Sequence, residues 1–241
     1  MASSTRASSR SSKALDALRK PSAFFSSNWA GLVAGATLVG VVPGLAGVMR
    51  VVTSLDRHVD EGFFTPMRQL RATWRRDLPV SLTFVVVAVM ALVNLWAIIN
   101  VESSVRVAVS GFLIPVVWVV TIMGSAYVAA ASAQPWHASR EQVLGLTAVL
   151  VKQRPVRALL TPLLLLGLLP VVLLPPLTVA VGLSLPAWVA GEWWGVRRWR
   201  EELDPAPDVK PLPDPDDLDL RWRRMAQQNL ARERSHDPQA G

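Results

Sequence analysis

The stretch ALLTPLLLLGLLPVVLLPPLTVAVGLSLPAWVAG, residues 158–191, runs for 34 positions without a charge. As one helix it would rise about 51 Å at 1.5 Å per residue, far more than the ~30 Å hydrocarbon core of a bilayer. Pro175-Pro176 divides it almost in half, and proline removes a backbone donor and clashes with the preceding turn. The stretch therefore reads as a tight helical hairpin with spans over 157–174 and 177–195. Trp188, Trp193, Trp194 and Trp199 gather at its end, with Arg197, Arg198 and Arg200 among and after them. That order suits the boundary between hydrocarbon and water, so Trp193, Trp194, Arg197 and Arg198 are candidate interfacial residues.

Working outward, three further apolar runs appear. Residues 78–101 carry no charge and 107–131 likewise, the latter with Pro115 inside it; neighbouring helices in a bundle can satisfy the carbonyls that such a proline frees. The first run has its apolar part from Trp29 and reads as a span over 29–55. Gly31 and Gly35 are spaced four apart, as are Gly40 and Gly44. Such spacing lets helix backbones approach closely in lipid, which makes these four glycines candidate helix-packing positions. Asn94 is the most polar residue well inside a span, and an amide at that depth either hydrogen-bonds a neighbouring helix or lines a substrate path. Pro43-Gly44 should kink the first span. The expected fold is all-α: a polytopic helical membrane protein with about five transmembrane helices, the last two forming the Pro-Pro hairpin.

The remaining segments are polar. Residues 1–28 form a basic tail, Ser- and Arg-rich at its start, whose composition favours disorder and also fits an organellar transit peptide. Over 65–77, Thr65 and Pro66 suit a helix start. Phe63, Met67, Leu70, Trp74 and Leu78 then recur at steps of four, three, four and four, with Arg68, Arg71 and Arg75 on another side. This is an amphipathic helix suited to the headgroup region, or to packing on the protein's own surface. Ser139 and Gln142 fit a capping box. Residues 201–241 begin with an acidic, proline-rich linker, eight acids and five prolines over 201–219, and continue into a short basic helix near 216–234.

Basic residues accumulate in cytoplasmic segments. Residues 50–77 hold six Arg, 132–157 hold four Lys or Arg, and the chain from Arg197 onward holds nine; the turns at 102–106 and at Pro175-Pro176 hold one and none. The three basic segments belong on one side, with the C-terminus cytoplasmic. The five Lys or Arg before Pro21 break this pattern if the first span crosses once. Either the charge rule is overridden there, or the first segment folds back at Pro43-Gly44; the reading adopted is a single kinked crossing that leaves the N-terminus outside.

No chemistry is written in the motifs. The chain has no cysteine, which excludes disulfides and thiolate metal sites. His58, His137 and His236 lie in three separate polar segments without metal-ligand spacing, and no phosphate-binding loop, dinucleotide fingerprint or nucleophile elbow occurs. No cofactor and no catalytic residue is expected. Charged residues make up 18% of the chain against the usual quarter, and the net charge is +7. Because the cations flank apolar spans, anionic lipid headgroups rather than nucleic acid are the expected partner.

The order VVPGLAGVMRVV (41–52), DEGFF (60–64) and MRQLRATWRR (67–76), leading into a Val-rich span, resembles the YesL-like family of bacterial integral membrane proteins, a domain of unknown function. The resemblance extends over roughly 29–200. It implies an accessory component beside a bacterial carbohydrate transport system, with sugar ABC transporter subunits as partners, and no catalytic residues. Arg50 departs from the family pattern, which carries an apolar or aromatic residue there, and would reach the headgroup level along its own stem. A self-contained permease or channel for a small neutral solute, and a membrane-anchored regulator acting through the basic tail, are the alternative functions.

Overall fold

A computed structural model describes residues 4–100 and 104–203. The linker and short basic helix expected beyond residue 203, and residues 102 and 103 of the 102–106 turn, lie outside the described residues. The chain runs α1 (Ser4–Ala36), a 3-10 turn (Leu38–Gly40), α2 (Val41–Val52), α3 (Leu55–His58), α4 (Phe64–Asn100) and α5 (Ser104–Ala133). It continues with α6 (Arg140–Gln153), α7 (Pro155–Gly167), α8 (Leu169–Leu173), α9 (Pro175–Val181), α10 (Ser184–Trp194) and α11 (Val196–Leu203). No strand occurs among the described residues. Among them, three helical stretches are long and apolar enough to cross a membrane: Phe64–Trp96, Gly111–Ala133 and Pro155–Leu173. Most of their apolar side chains face outward, Leu92, Trp96, Phe112, Ile114, Leu159 and Leu166 among them. In water so large an exposed apolar surface would drive aggregation; in lipid it is the solvated surface.

The first apolar run folds as a helical hairpin rather than as one long kinked helix. α1 ends at Ala36, and α2 returns along it. Without a Cβ at Gly44 and Gly31 the two backbones touch: a Cβ would sit 2.6 Å from the Ala34 Cβ at the first and 2.6 Å from Val48 Cγ2 at the second. Thr37 closes the turn by donating its hydroxyl to the Ala34 carbonyl at 2.7 Å. The reversal thus falls at 37–40, before Pro43-Gly44, which sits buried inside α2. Both ends of the hairpin emerge on one side, where Arg19 meets Asp60 and Lys20 meets Asp56, each at 2.6 Å. The 12 residues of α2 rise about 18 Å, too short for the hydrocarbon core. The expected disordered tail is also replaced: from Ser4 onward residues 1–28 belong to α1, held over Arg19 to Asn28 by those ion pairs and by the Asn28 bonds described below.

The amphipathic segment 65–77 is not a separate helix in the headgroup plane. It is the first part of α4, which continues for 37 residues through Pro79. Proline at that position frees the Arg75 carbonyl. Arg140 answers it from the next loop, donating Nη2 to the Arg75 carbonyl at 3.4 Å and Nε to the Arg76 carbonyl at 2.9 Å. α4 then packs on α5 where Gly124 leaves room for the Phe84 ring. Before α6, Ser139 and Gln142 form the expected capping box.

The 158–191 stretch folds as a hairpin that reverses at Leu174 and Pro175, and both arms are interrupted. α7 gives way to α8 at Leu168, just ahead of Pro170, and α9 to α10 at Gly182 and Leu183. Gly195, in the left-handed region at φ 67°, ends α10 and turns the chain into α11. The buried core gathers toward the basic end of the bundle, around Tyr127, Val143, Leu150 and Trp194.

Candidate functional site

The break between α9 and α10 and the turn of the first hairpin are each covered by a polar side chain from another helix. Asn28 of α1, fully buried, reaches the break between α9 and α10. Its Nδ2 donates to the Thr178 and Val179 carbonyls at 3.0 and 2.9 Å, and its Oδ1 accepts the Leu183 and Ser184 amides at 2.7 and 3.3 Å. Ser81 of α4 accepts the Val42 amide at 3.3 Å and donates to the Val39 carbonyl at 3.2 Å, covering the turn of the first hairpin. In lipid no water reaches such groups, so an unanswered amide or carbonyl costs several kcal/mol on the order of a full desolvation.

Two arginines do the same for helix C-termini. Arg200, 2% exposed, donates to the Ser132 carbonyl at the end of α5 at 2.9 Å. It also donates to the Arg50 carbonyl near the end of α2, and to Ser54 Oγ, both at 2.7 Å. A guanidinium at the negative end of two helix dipoles is favourably placed. Arg50, expected at headgroup level, is instead 4% exposed, donates to the Gln134 carbonyl and lies 5.9 Å from the Trp136 ring centre. His58, beside Thr65, is held near pKa 4, below its usual 6.5, first by burial and then by the Arg200 and Arg50 charges.

α4 presents a polar row toward the interior: Thr65, Gln69, Thr73, Asp77 and Ser81, all buried and spaced by four. Asp77 accepts Tyr127 Oη and Thr73 Oγ1, each at 2.8 Å, and a two-pronged contact from Arg76. The apolar row 63–78 and its arginines mark the other faces of this helix in the sequence and leave this one unmarked. The signal was present as four polar residues and one carboxylate at strict i, i+4 spacing. On the other faces Arg68, Arg71, Trp74 and Arg75 are exposed; Arg68 pairs with Glu61 at 2.8 Å and Arg75 lies 5.1 Å from the Trp74 ring centre.

The packing glycines divide. Gly31, Gly40 and Gly44 lie inside the first hairpin, whereas a Cβ at Gly35 would meet nothing within 4 Å. Gly47, against Pro66 and Gln69, Gly124, and Gly191, against Thr53 and Met49, are close-packed positions that the four-residue spacing did not single out. Trp194 is not interfacial: it is fully buried and donates Nε1 to Ser125 Oγ at 3.3 Å. Trp193 is half-buried, and Arg197 and Arg198 are exposed and paired with Glu201 and Glu202 at 3.3 Å.

Asn94 is left facing an open cleft between α4, α5 and the α7–α8 arm. The cleft holds about 500 Å³ and is lined by Asn94, Leu113, Val117, Trp118, Thr121 and Leu165, with other apolar side chains. Thr121 spends its hydroxyl on the Val117 carbonyl at 2.7 Å, while no side-chain hydrogen bond to Asn94 occurs among the described residues. A second pocket of about 230 Å³ on the basic face is lined by charges of both signs, including Lys20, Asp56, Arg57, Glu192 and Glu201. Among the described residues no group of His, Asp or Glu converges as a metal site. Set against known proteins, the chain matches no family model, no curated protein and no solved structure.

Proposed function

We propose that the protein is a multi-pass membrane protein that acts without catalysis, as an assembly subunit for a membrane-spanning partner. In this reading α4, α5 and the two arms of the α7–α10 hairpin make four crossings, and the α1–α2 hairpin enters the bilayer and returns. That arrangement brings all four large groups of basic residues to one side, the cytoplasmic one, and removes the conflict raised by the N-terminal charges.

The observation that carries the proposal is the Asn94 cleft. Its walls are apolar, it opens sideways between crossing helices, and its one uncommitted amide lies at membrane depth. A transmembrane helix of a partner, bringing apolar side chains and one hydrogen-bonding group, is the occupant whose chemistry suits it. The ionisable groups inside the bundle point the same way, since Asp77 and Arg200 are committed to holding helices together. The resemblance over 29–200 supports a carbohydrate uptake system as the setting of that partner, on fold-level analogy.

A photo-crosslinking residue at Leu166, on the cleft wall, tests this in cells, with Val86 on the exposed side of α4 as the control. Adduct formation with one defined membrane-spanning subunit from Leu166 and not from Val86 is the expected result; adducts with lipid alone refute it. A second reading, a self-contained permease, draws on the interrupted hairpin arms, a feature of transporter binding sites. Solute uptake by liposomes holding only this protein would favour that reading.

A further inference from the structure

Arg154 and Arg157 bring two guanidinium groups onto one neutral oxygen. Arg154 Nη1 donates to the Trp193 carbonyl at 3.3 Å and Arg157 Nη1 to the same carbonyl at 2.9 Å. Arg157 also lies 5.7 Å from the Trp193 ring centre, and Trp193 Nε1 donates to the Arg157 carbonyl at 3.1 Å. Neither guanidinium meets a carboxylate among the described residues. Burial, then the charges of Arg157 and Arg198, draw Arg154 below the usual guanidinium range. Two full charges held together on a dipole ask for an anion, and guanidinium forks match the geometry of phosphate oxygens.

The surroundings say which source of phosphate fits. The pair sits where α7 begins, beside the C-terminal ends of α6 and α10. Along α7 from the pair, Val156, Leu159 and Leu163 are exposed and apolar. A charged head beside a bare apolar helix face is the shape of a phospholipid, not of a free ion.

We infer that Arg154 and Arg157, with the Trp193 indole beside them, bind the phosphate of an anionic phospholipid whose acyl chains lie along Val156, Leu159 and Leu163. The site rests on the membrane reading above.

The test uses the full-length protein purified in a mild detergent, offered phosphatidylglycerol, phosphatidylcholine or inorganic phosphate, with retained ligand read by native mass spectrometry. The wild type should retain phosphatidylglycerol over phosphatidylcholine by about tenfold, the range of charge-assisted bonds, and should not retain inorganic phosphate. Arg154→Gln with Arg157→Gln should abolish the preference. Arg71→Gln with Arg75→Gln, an equal change of charge on exposed α4, should leave it. Arg157→Gln alone, at an exposed position, carries the same test with the packed Arg154 head untouched and should lower the preference several-fold. Equal loss in the two double variants would reduce the effect to general surface charge and overturn the inference. So would unaltered preference in Arg157→Gln, or retention of inorganic phosphate alone. A protein that stays in the membrane fraction without lipid preference sinks this inference and leaves the membrane reading intact; one recovered without membrane sinks both.

Discussion

The Asn28 side-chain oxygen and the Leu183 backbone amide meet at 2.7 Å across 155 positions of sequence. With its three companion bonds this contact makes the interruption of the second hairpin arm tolerable in lipid. α9 and α10 can part at Gly182 because a fully buried amide from α1 supplies two donors and two acceptors in the gap. The same logic places Ser81 at the first hairpin turn, Arg140 at the Pro79 break and Arg200 at two helix ends.

Asn28→Leu should therefore destabilise the bundle by about 2 kcal/mol, the scale of orphaning buried backbone groups tempered by what membrane hydrogen bonds contribute. Asn100→Leu is the control, because Asn100 is exposed and donates only to Trp96 of its own helix at 2.8 Å. Thermal unfolding in detergent distinguishes them. Equal melting of the two variants would mean that the Asn28 bonds contribute nothing net.

The α1–α2 hairpin sets Arg19 and Lys20 of α1 against Asp60 and Asp56 of the 50–77 segment, and the proposed topology puts both on the cytoplasmic side. The chain has no cysteine, so single cysteines report topology cleanly. Ser22→Cys should be protected from an impermeant maleimide in intact cells and react after permeabilisation. Leu174→Cys, at the tip of the second hairpin, should react in intact cells. Labelling of Ser22→Cys from outside would restore the single kinked crossing.

The features legible in the sequence are those whose cause is local. Pro175-Pro176 could only divide a stretch too long for the bilayer, and Ser139 with Gln142 announces a cap within one helical turn. The reversal at 37–40 was not legible, since nothing there breaks a helix as strongly as Pro43-Gly44, which α2 accommodates. What decides it is tertiary: ion pairs from Arg19 and Lys20 to Asp60 and Asp56, and glycine contacts between Gly31 and Val48 and between Gly44 and Ala34. In sequence Asn28 is only the end of a polar tail, because its partners at 178–184 come near it only in three dimensions. Asn94 stands out in sequence as the most polar residue inside a span, but the cleft it faces exists only once α5 and the α7–α8 arm pack beside α4.

Close approach, rather than spacing, should decide which glycines matter. Gly44→Leu forces a side chain into Ala34 and should cost about 1–3 kcal/mol, the range of overpacking. Gly35→Leu, where a Cβ meets nothing within 4 Å, should be neutral or slightly stabilising through better helix propensity. Melting of the two purified variants separates these outcomes. Similar losses at both positions would show that the four-residue spacing, and not the α1–α2 contact, governs assembly.

His58 should make stability fall on the acid side. In the folded protein its pKa is lowered from 6.5 to about 4, first by burial and then by Arg200 and Arg50. An unfolded chain takes up a proton at His58 near its ordinary value, whereas the folded chain resists until about pH 4. Between those limits the unfolded state binds more protons, so stability declines as pH drops through that window. Below it both states are protonated and the loss is complete; above it both are neutral and the group is silent. Partial exposure screens the effect, leaving about 2 kcal/mol across the window. His58→Gln keeps a neutral polar side chain beside Thr65 and should flatten the difference between melting curves at pH 7 and pH 4.5. An unchanged difference would remove His58 as the source of acid sensitivity in that window.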